Sequence, residues 1–399
     1  MGVIPLGERP APSTPPAGWR PFGLGFRPFF ALAGLSGLGL MLLWIAAWQT
    51  GSPPSAYSSL VDWHSHQMLF GFSIAIIAGF LLTAVRNWTG IETPTGKPLA
   101  LLALLWLIGR LLPLIPAVAS WLVALVDWLF IPTLIIVLTP PLVNGQNPVN
   151  RLFLPLLGAM AVANLLYHLQ MLGFASTGQA GISLMLNLIL LLMIFVAGRI
   201  LPFFTEKAIN GARPRFNKLR EQSVYALFIL WTLGELLMPN SWLISPLAFG
   251  VAITQAWRLL DWHHPAVWRR PILWVLYSGL CWLVAGFLLK TLALLQLYPN
   301  SLATHALTVG AIGVFTLGMM ARVALGHTGR DMEPKPSIVT AFILFNVAAL
   351  IRVGLPVTGL VSYQACITLA GALWSLGYLL FVITYLPILL RPRIDGRPG

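Results

Sequence analysis

The chain is written as long apolar runs separated by short polar loops. About twelve runs can be drawn, roughly 28–49, 64–85, 98–116, 120–143, 151–174, 180–203, 220–238, 241–260, 271–297, 302–324, 338–356 and 361–390. Most approach or exceed the ~20 apolar residues that a helix needs to cross the hydrocarbon layer of a bilayer. Inside lipid every backbone amide must find its partner within its own segment, so runs of this length predict helices and not strands. The expected fold is all-α: a polytopic membrane protein with about twelve transmembrane helices in a domain spanning 27–390. A flexible N-terminal arm (1–26), rich in proline and small residues, precedes it, and a short tail (391–399) follows. The arm is too long and too polar for a signal-peptide n-region, and the next run is long enough to span, so the first helix is expected to be retained.

Charge adds orientation. Arginine and lysine fall in alternate loops: the first tail (Arg9, Arg20, Arg27), then Arg86 and Lys97, Arg151, the group from Arg199 to Arg220, Arg258 to Arg270, Arg322 to Lys335, and the last tail (Arg391, Arg393, Arg397). The loops between hold none. By the positive-inside rule both termini are expected in the cytoplasm. The same alternation accounts for the net charge of +13 with the lipid bilayer as partner and no nucleic acid. Cys281 and Cys366 lie within apolar runs and read as packing residues. No hydrolase elbow, phosphate-binding glycine loop or paired carboxylates are visible.

Two phrases about 240 residues apart match: His66-x4-Gly71-x7-Gly79-x9-Thr89-Gly90 and His305-x4-Gly310-x7-Gly318-x9-Thr328-Gly329. The sixth run fits the same frame if Gly198 is set against Gly79 and Gly318. Trp106, Gly109, Arg110 and Pro113 then align with Trp231, Gly234, Glu235 and Pro239, and Arg352 and Pro356 fall in the corresponding place. The unit predicted is four helices, repeated at about 27–145, 146–265 and 266–390. Four is even, so the three copies share one orientation about an axis along the membrane normal.

Polar groups inside the apolar runs are functional candidates by default. Arg110, Lys290 and Arg352 all sit late in runs that end at the outer side, where they can meet the carboxylates of a haem or snorkel to the interface. Glu235, at the repeat position of Arg110 and Arg352, is expected to pair with one of those arginines. Helix polarity sorts the histidines into two levels. His64, His66, His168 and His305 lie at the outer level, with His263, His264 and His327 at the inner. His64 and His66 are two apart, roughly 200° round a helix, so they cannot face one point. Asp62 is expected to receive the second ring proton of His66. The metal candidates are therefore His66, His305, His64 and His168, with Met185, at the matching place in the sixth run, and His327 as further ones. Histidine and methionine suit haem iron and copper. His327 is expected in a separate inner cluster with Glu206, and His263-His264 reads as loop.

Phe26-Arg-Pro-Phe-Phe30, Trp63-His-Ser-His-Gln-Met-Leu-Phe-Gly-Phe72, Gly79-Phe-Leu-Leu-Thr-Ala84 and Asn87-Trp-Thr-Gly90 resemble the opening of the NnrS family. So do Gly198-Arg-Ile-Leu-Pro-Phe-Phe-Thr205, the stretch from His305 to Gly313, and Leu325-Gly-His-Thr-Gly-Arg330. The resemblance implies a bacterial inner-membrane protein of the nitric oxide response, carrying haem and copper. It suggests a role in nitrosative stress defence through binding or conversion of nitric oxide at a metal site near the outer face. His64, His66, His168, His305 and His327 lie in or near the family-like motifs, and His263 and His264 do not. No catalytic residue is assigned. The rival readings are a secondary transporter without a metal and a cofactor-free scaffold. Against the transporter, the repeat is three fours, and the polar cluster lies outward of the midplane.

Overall fold

The structure is a computed structural model that describes residues 18–51 and 57–396. Most of the expected N-terminal arm, and Arg9 and Arg397 with it, lies outside the described residues. Within them the chain forms twelve long helices and no strand. In chain order they are α1 (Phe26–Thr50), α2 (Leu60–Thr89), α3 (Gly96–Leu114), α4 (Ser120–Asn144), α5 (Pro148–Met171) and α6 (Gly178–Ala208), then α7 (Lys218–Leu237). They continue as α8 (Trp242–Trp262), α9 (Pro271–Leu294), α10 (Asn300–His327), α11 (Pro336–Thr358) and α12 (Tyr363–Leu390). Eleven are long and apolar enough to cross a membrane. The twelfth, α7, carries Lys218, Arg220, Glu221 and Glu235 and is too charged to qualify on apolarity.

Burial divides the helices into two groups. The most apolar stretches of α2, α6 and α10 are 89%, 67% and 72% buried, against 39–56% for the other spans. These three make the inside of the bundle. The others turn leucines and isoleucines outward, such as Leu101, Leu233 and Ile343, as helices bathed in lipid do. Neighbours recur every four helices. α1 packs on α2 and α12, α5 on α6 and α4, and α9 on α10 and α8, while α3, α7 and α11 pack on α4, α8 and α12. Small residues permit the close crossings. A Cβ at Gly79 would fall 2.9 Å from Phe29 and Phe30 of α1, and one at Gly279 would fall 2.8 Å from Phe315 of α10.

α2 and α10 share a further departure. Both leave α geometry for a π-helical stretch, Gln67–Ser73 in one and Ala306–Gly313 in the other. Each stretch begins at the residue after the histidine of the matched phrase. Such insertions in otherwise regular helices occur mostly as single turns and often at functional sites. Both cysteines are free, Cys366 buried and Cys281 exposed.

Candidate functional site

The first cluster gathers around His66, which is fully buried. Ser59 caps α2 by accepting from the Asp62 amide at 3.1 Å, and the helix then turns His66 inward toward α4 and α5. His66 Nε2 lies 3.2 Å from Asn164 Oδ1 and 3.4 Å from Asp127 Oδ2. His168 Nε2 meets the same Asp127 oxygen at 2.8 Å. The three ligand atoms lie within 4.8 Å of one another, and all three residues are buried. A tetrahedral metal with bonds of ~2.0–2.1 Å spaces its ligand atoms about 3.3 Å apart, so the donor set fits a metal ion with little movement. His66 Nδ1 is held 3.0 Å from the Tyr57 hydroxyl, which itself accepts from Gln67 Nε2 at 2.9 Å. Burial pushes the Tyr57 hydroxyl up to about 12, against smaller pulls from Arg110 and Gln67, so it stays neutral at physiological pH, and its oxygen can accept from a protonated His66 Nδ1, which leaves the Nε2 lone pair for a metal. The other oxygen of Asp127 pairs with Arg110, which also donates to Gln67 Oε1 at 2.9 Å. His168 Nδ1 is buried with no hydrogen-bond partner among the described residues.

The second feature is a cavity of about 250 Å³ walled by α1, α2, α6, α10, α11 and α12. Its surface is mostly apolar and includes Met41, Trp44, Phe72 and Trp374, with His64, His305 and Arg352 as its ionisable groups. The His64 ring stacks on Trp44, centroids 4.1 Å apart, and has no hydrogen-bond partner among the described residues. His305 Nδ1 lies 2.6 Å from the Ser301 carbonyl. A carbonyl can only accept, so Nδ1 carries the proton and Nε2 keeps its lone pair. Arg352 Nη2 lies 3.4 Å from that Nε2 and donates to Tyr363 Oη at 2.9 Å. The residues fit a haem in chemistry: two imidazoles from different helices and an apolar wall.

The NnrS family, described as NnrS protein, matches residues 20–393. The chain belongs to the NnrS family. That places it among the multi-pass membrane proteins of the nitric oxide response. No curated protein matches it.

In this NnrS protein the outer-level histidines divide into two pairs. His66 joins His168 between α2, α4 and α5, and His64 shares the cavity with His305. The two-residue spacing of His64 and His66 sends them to different sites. Several expectations need correction. Asp62 does not reach His66; its carboxylate accepts from the Ser58 and Ser59 hydroxyls at 2.7 Å each, while Tyr57 and Asn164 hold the ring. Glu235 pairs with Lys290 at 3.2 Å and not with an arginine, because Arg110 is taken by Asp127 and Arg352 faces the cavity. Asn187 donates to Glu235 at 2.6 Å and Lys290 also donates to Asn300 at 2.9 Å, so this acid and base are satisfied between α6, α7, α9 and α10. Arg110 and Lys290 are buried and tied to carboxylates, which leaves neither snorkelling nor free for a cofactor in the cavity. Met185 is fully buried in the apolar core, and α6 presents Ile182 and Leu186 to the cavity. His327 ends α10, at the far end of that helix from His305, and Asn87 is its side-chain partner at 3.4 Å. Glu206 is exposed and is not that partner. His263 accepts from Trp268 at 3.0 Å and His264 caps a short turn, both in the α8–α9 loop.

Sequence reasoning missed Asp127, Asn164, Tyr57 and Gln67. For Asp127 a signal was present: it is the one acid in the apolar run 120–143, and an intramembrane acid is a site candidate on that ground alone. Asn164 and Tyr57 carried no pattern.

Proposed function

We propose that this NnrS protein is a haem- and copper-binding protein of the bacterial inner membrane that binds or converts nitric oxide in nitrosative stress defence. The observation that carries the reading is the cavity in which His64, whose ring nitrogens have no hydrogen-bond partner among the described residues, and His305, whose Nε2 lone pair meets Arg352 Nη2 at 3.4 Å, face one apolar space. These two residues would hold the haem, which would supply an iron able to take nitric oxide in place of one of the two imidazoles. His66 and His168, with Asp127, would hold the copper, since imidazole nitrogen suits that metal. Tyr57 would accept from His66 Nδ1–H and so orient the ring with its Nε2 lone pair toward the metal, and Arg110 balances the charge of Asp127. The Trp44, Phe72 and Trp374 side chains exclude bulk water from the cavity. Both sites lie toward the ends of α2 and α10 that open from loops free of Lys and Arg, so the reading places them on the periplasmic side. The period-four packing of the helices supports three four-helix repeats at about 27–145, 146–265 and 266–390.

The test is the optical spectrum of the purified protein before and after addition of nitric oxide. A Soret band that shifts with the gas is expected. A colourless protein without iron contradicts the haem reading and favours a transporter or scaffold.

A further inference from the structure

Six cations are buried among the described residues: Arg27, Arg110, Arg220, Arg258, Lys290 and Arg352. Four pair with carboxylates. Arg110 meets Asp127, Lys290 meets Glu235, Arg220 meets Glu221 and Asp261, and Arg258 meets Glu221. Arg27 donates to the carbonyls that close α12, Leu389 among them at 3.0 Å, where the helix dipole favours a cation. Arg352, in the last turn of the Pro336–Val353 stretch of α11 where the dipole likewise favours a cation, differs from the four in having no carboxylate. Among the described residues its Nη2 has only the neutral partners Tyr363 and His305, and its Nη1 is buried with no hydrogen-bond partner.

The walls of the cavity offer no counter-charge. α1, α10, α11 and α12 contain no aspartate or glutamate. Asp62 of α2 is held by Ser58 and Ser59, and Glu206 of α6 is exposed near the opposite end of its helix. A guanidinium only 8% exposed therefore lines the cavity with no carboxylate to meet its charge. A buried cation without an anion is strongly destabilising, and the missing partner has room to come from outside. Arg110, at the matching repeat position, has its anion built in; Arg352 does not.

We propose that the cavity holds a small monovalent oxyanion, of the nitrite or formate class, on the Nη1 edge of Arg352. The planar guanidinium matches an anion with two terminal oxygens, and the Ser301, Thr304 and Tyr363 side chains line the same cavity. A free anion fits better than a carboxylate of a bound haem. Arg352 Nη2 lies 3.4 Å from His305 Nε2, so the guanidinium approaches the ligand-bearing nitrogen, whereas the carboxylates of a haem lie at the rim of the macrocycle. The proposal rests on the cavity being the ligand site named above, and adds a substrate or product class to it.

The experiment is thermal unfolding of the detergent-solubilised protein against sodium nitrite, with sodium chloride at equal ionic strength as control, and iron content measured alongside. Nitrite should raise the midpoint of the natural protein. Arg352→Gln should abolish the shift without lowering bound iron, and Arg352→Lys should weaken nitrite at least tenfold, since it keeps the charge and loses the fork. Nitrite binding by Arg352→Gln equal to that of the natural protein would overturn the proposal, because the anion would then sit on a metal or elsewhere. A loss of haem in Arg352→Gln, with nitrite bound only by haem-free protein, would also overturn it, as the partner of Arg352 would be the haem carboxylate. If Arg352→Gln fails to fold, Tyr363→Phe decides: affinity several-fold weaker supports the site, and unchanged affinity in both Tyr363→Phe and Arg352→Lys contradicts it. A colourless protein that still binds nitrite through Arg352 would fail the haem reading while sustaining this one.

Discussion

Asp127 touches four members of the His66 cluster: His66, His168 and Asn164 through one oxygen and Arg110 through the other. Replacing it with asparagine leaves Arg110 buried without an anion, and breaking one partner of such a pair costs about 3–5 kcal/mol. Asp127→Asn should lower the thermal midpoint in detergent by several degrees and empty the metal site. Adding Arg110→Met should restore most of the stability and none of the metal. If Asp127→Asn unfolds like the natural protein, the ion pair is not holding α3 and α4 together. At this scale the sequence was partly readable. The histidines stood out because they repeat, and Arg110 because it is a cation in an apolar run. The partners were not readable: Asp62 is four residues from His66 and so looked like its acceptor, but Ser58 and Ser59 claim it first. Asp127 comes from another helix, and contacts between helices leave no spacing in the chain.

The elements were the most legible level. Runs of apolar residues long enough to cross a bilayer have one structural solution in lipid, and all twelve appear as helices. The π-helical stretches were hidden, because an extra residue per turn changes no composition. Their effect is local. A π segment is an α-helix with one residue inserted, and its wider turn takes up most of the ~100° that the extra residue adds. Deleting Met68 should therefore let the stretch close to α geometry while His64 and His66 still face the cavity and Asp127. The variant is expected to insert in the membrane and to keep most of both metals, as read by mass spectrometry of the purified protein. Loss of both metals in the deletion would mean that the π turn itself aims the two histidines.

Across the whole molecule, the three most buried spans, α2, α6 and α10, are the helices that Gly79, Gly198 and Gly318 align in the repeat frame. That much of the architecture was visible as a recurrence of small residues. That the histidines of α2 would serve two sites was implied only by their two-residue spacing. Orientation is tested by reporter fusions. Fusions at Ser120, Gly178, Asn240 and Leu360 should report the periplasm, and those at Gly145, Gly211, Pro265 and Lys335 the cytoplasm. The pair Gly211 and Asn240 decides whether α7 crosses despite its charge, and the same side for both would mean that it does not.

The central claim is that the outer histidines make two sites, a haem cavity between α2 and α10 and a metal centre between α2, α4 and α5. Iron and copper counted in four single variants test it most directly. His64→Ala and His305→Ala should lose iron and keep copper, while His66→Ala and His168→Ala should lose copper and keep iron. Both metals retained in all four, with loss only in His327→Ala, would place the site at the opposite end of the bundle and contradict the account.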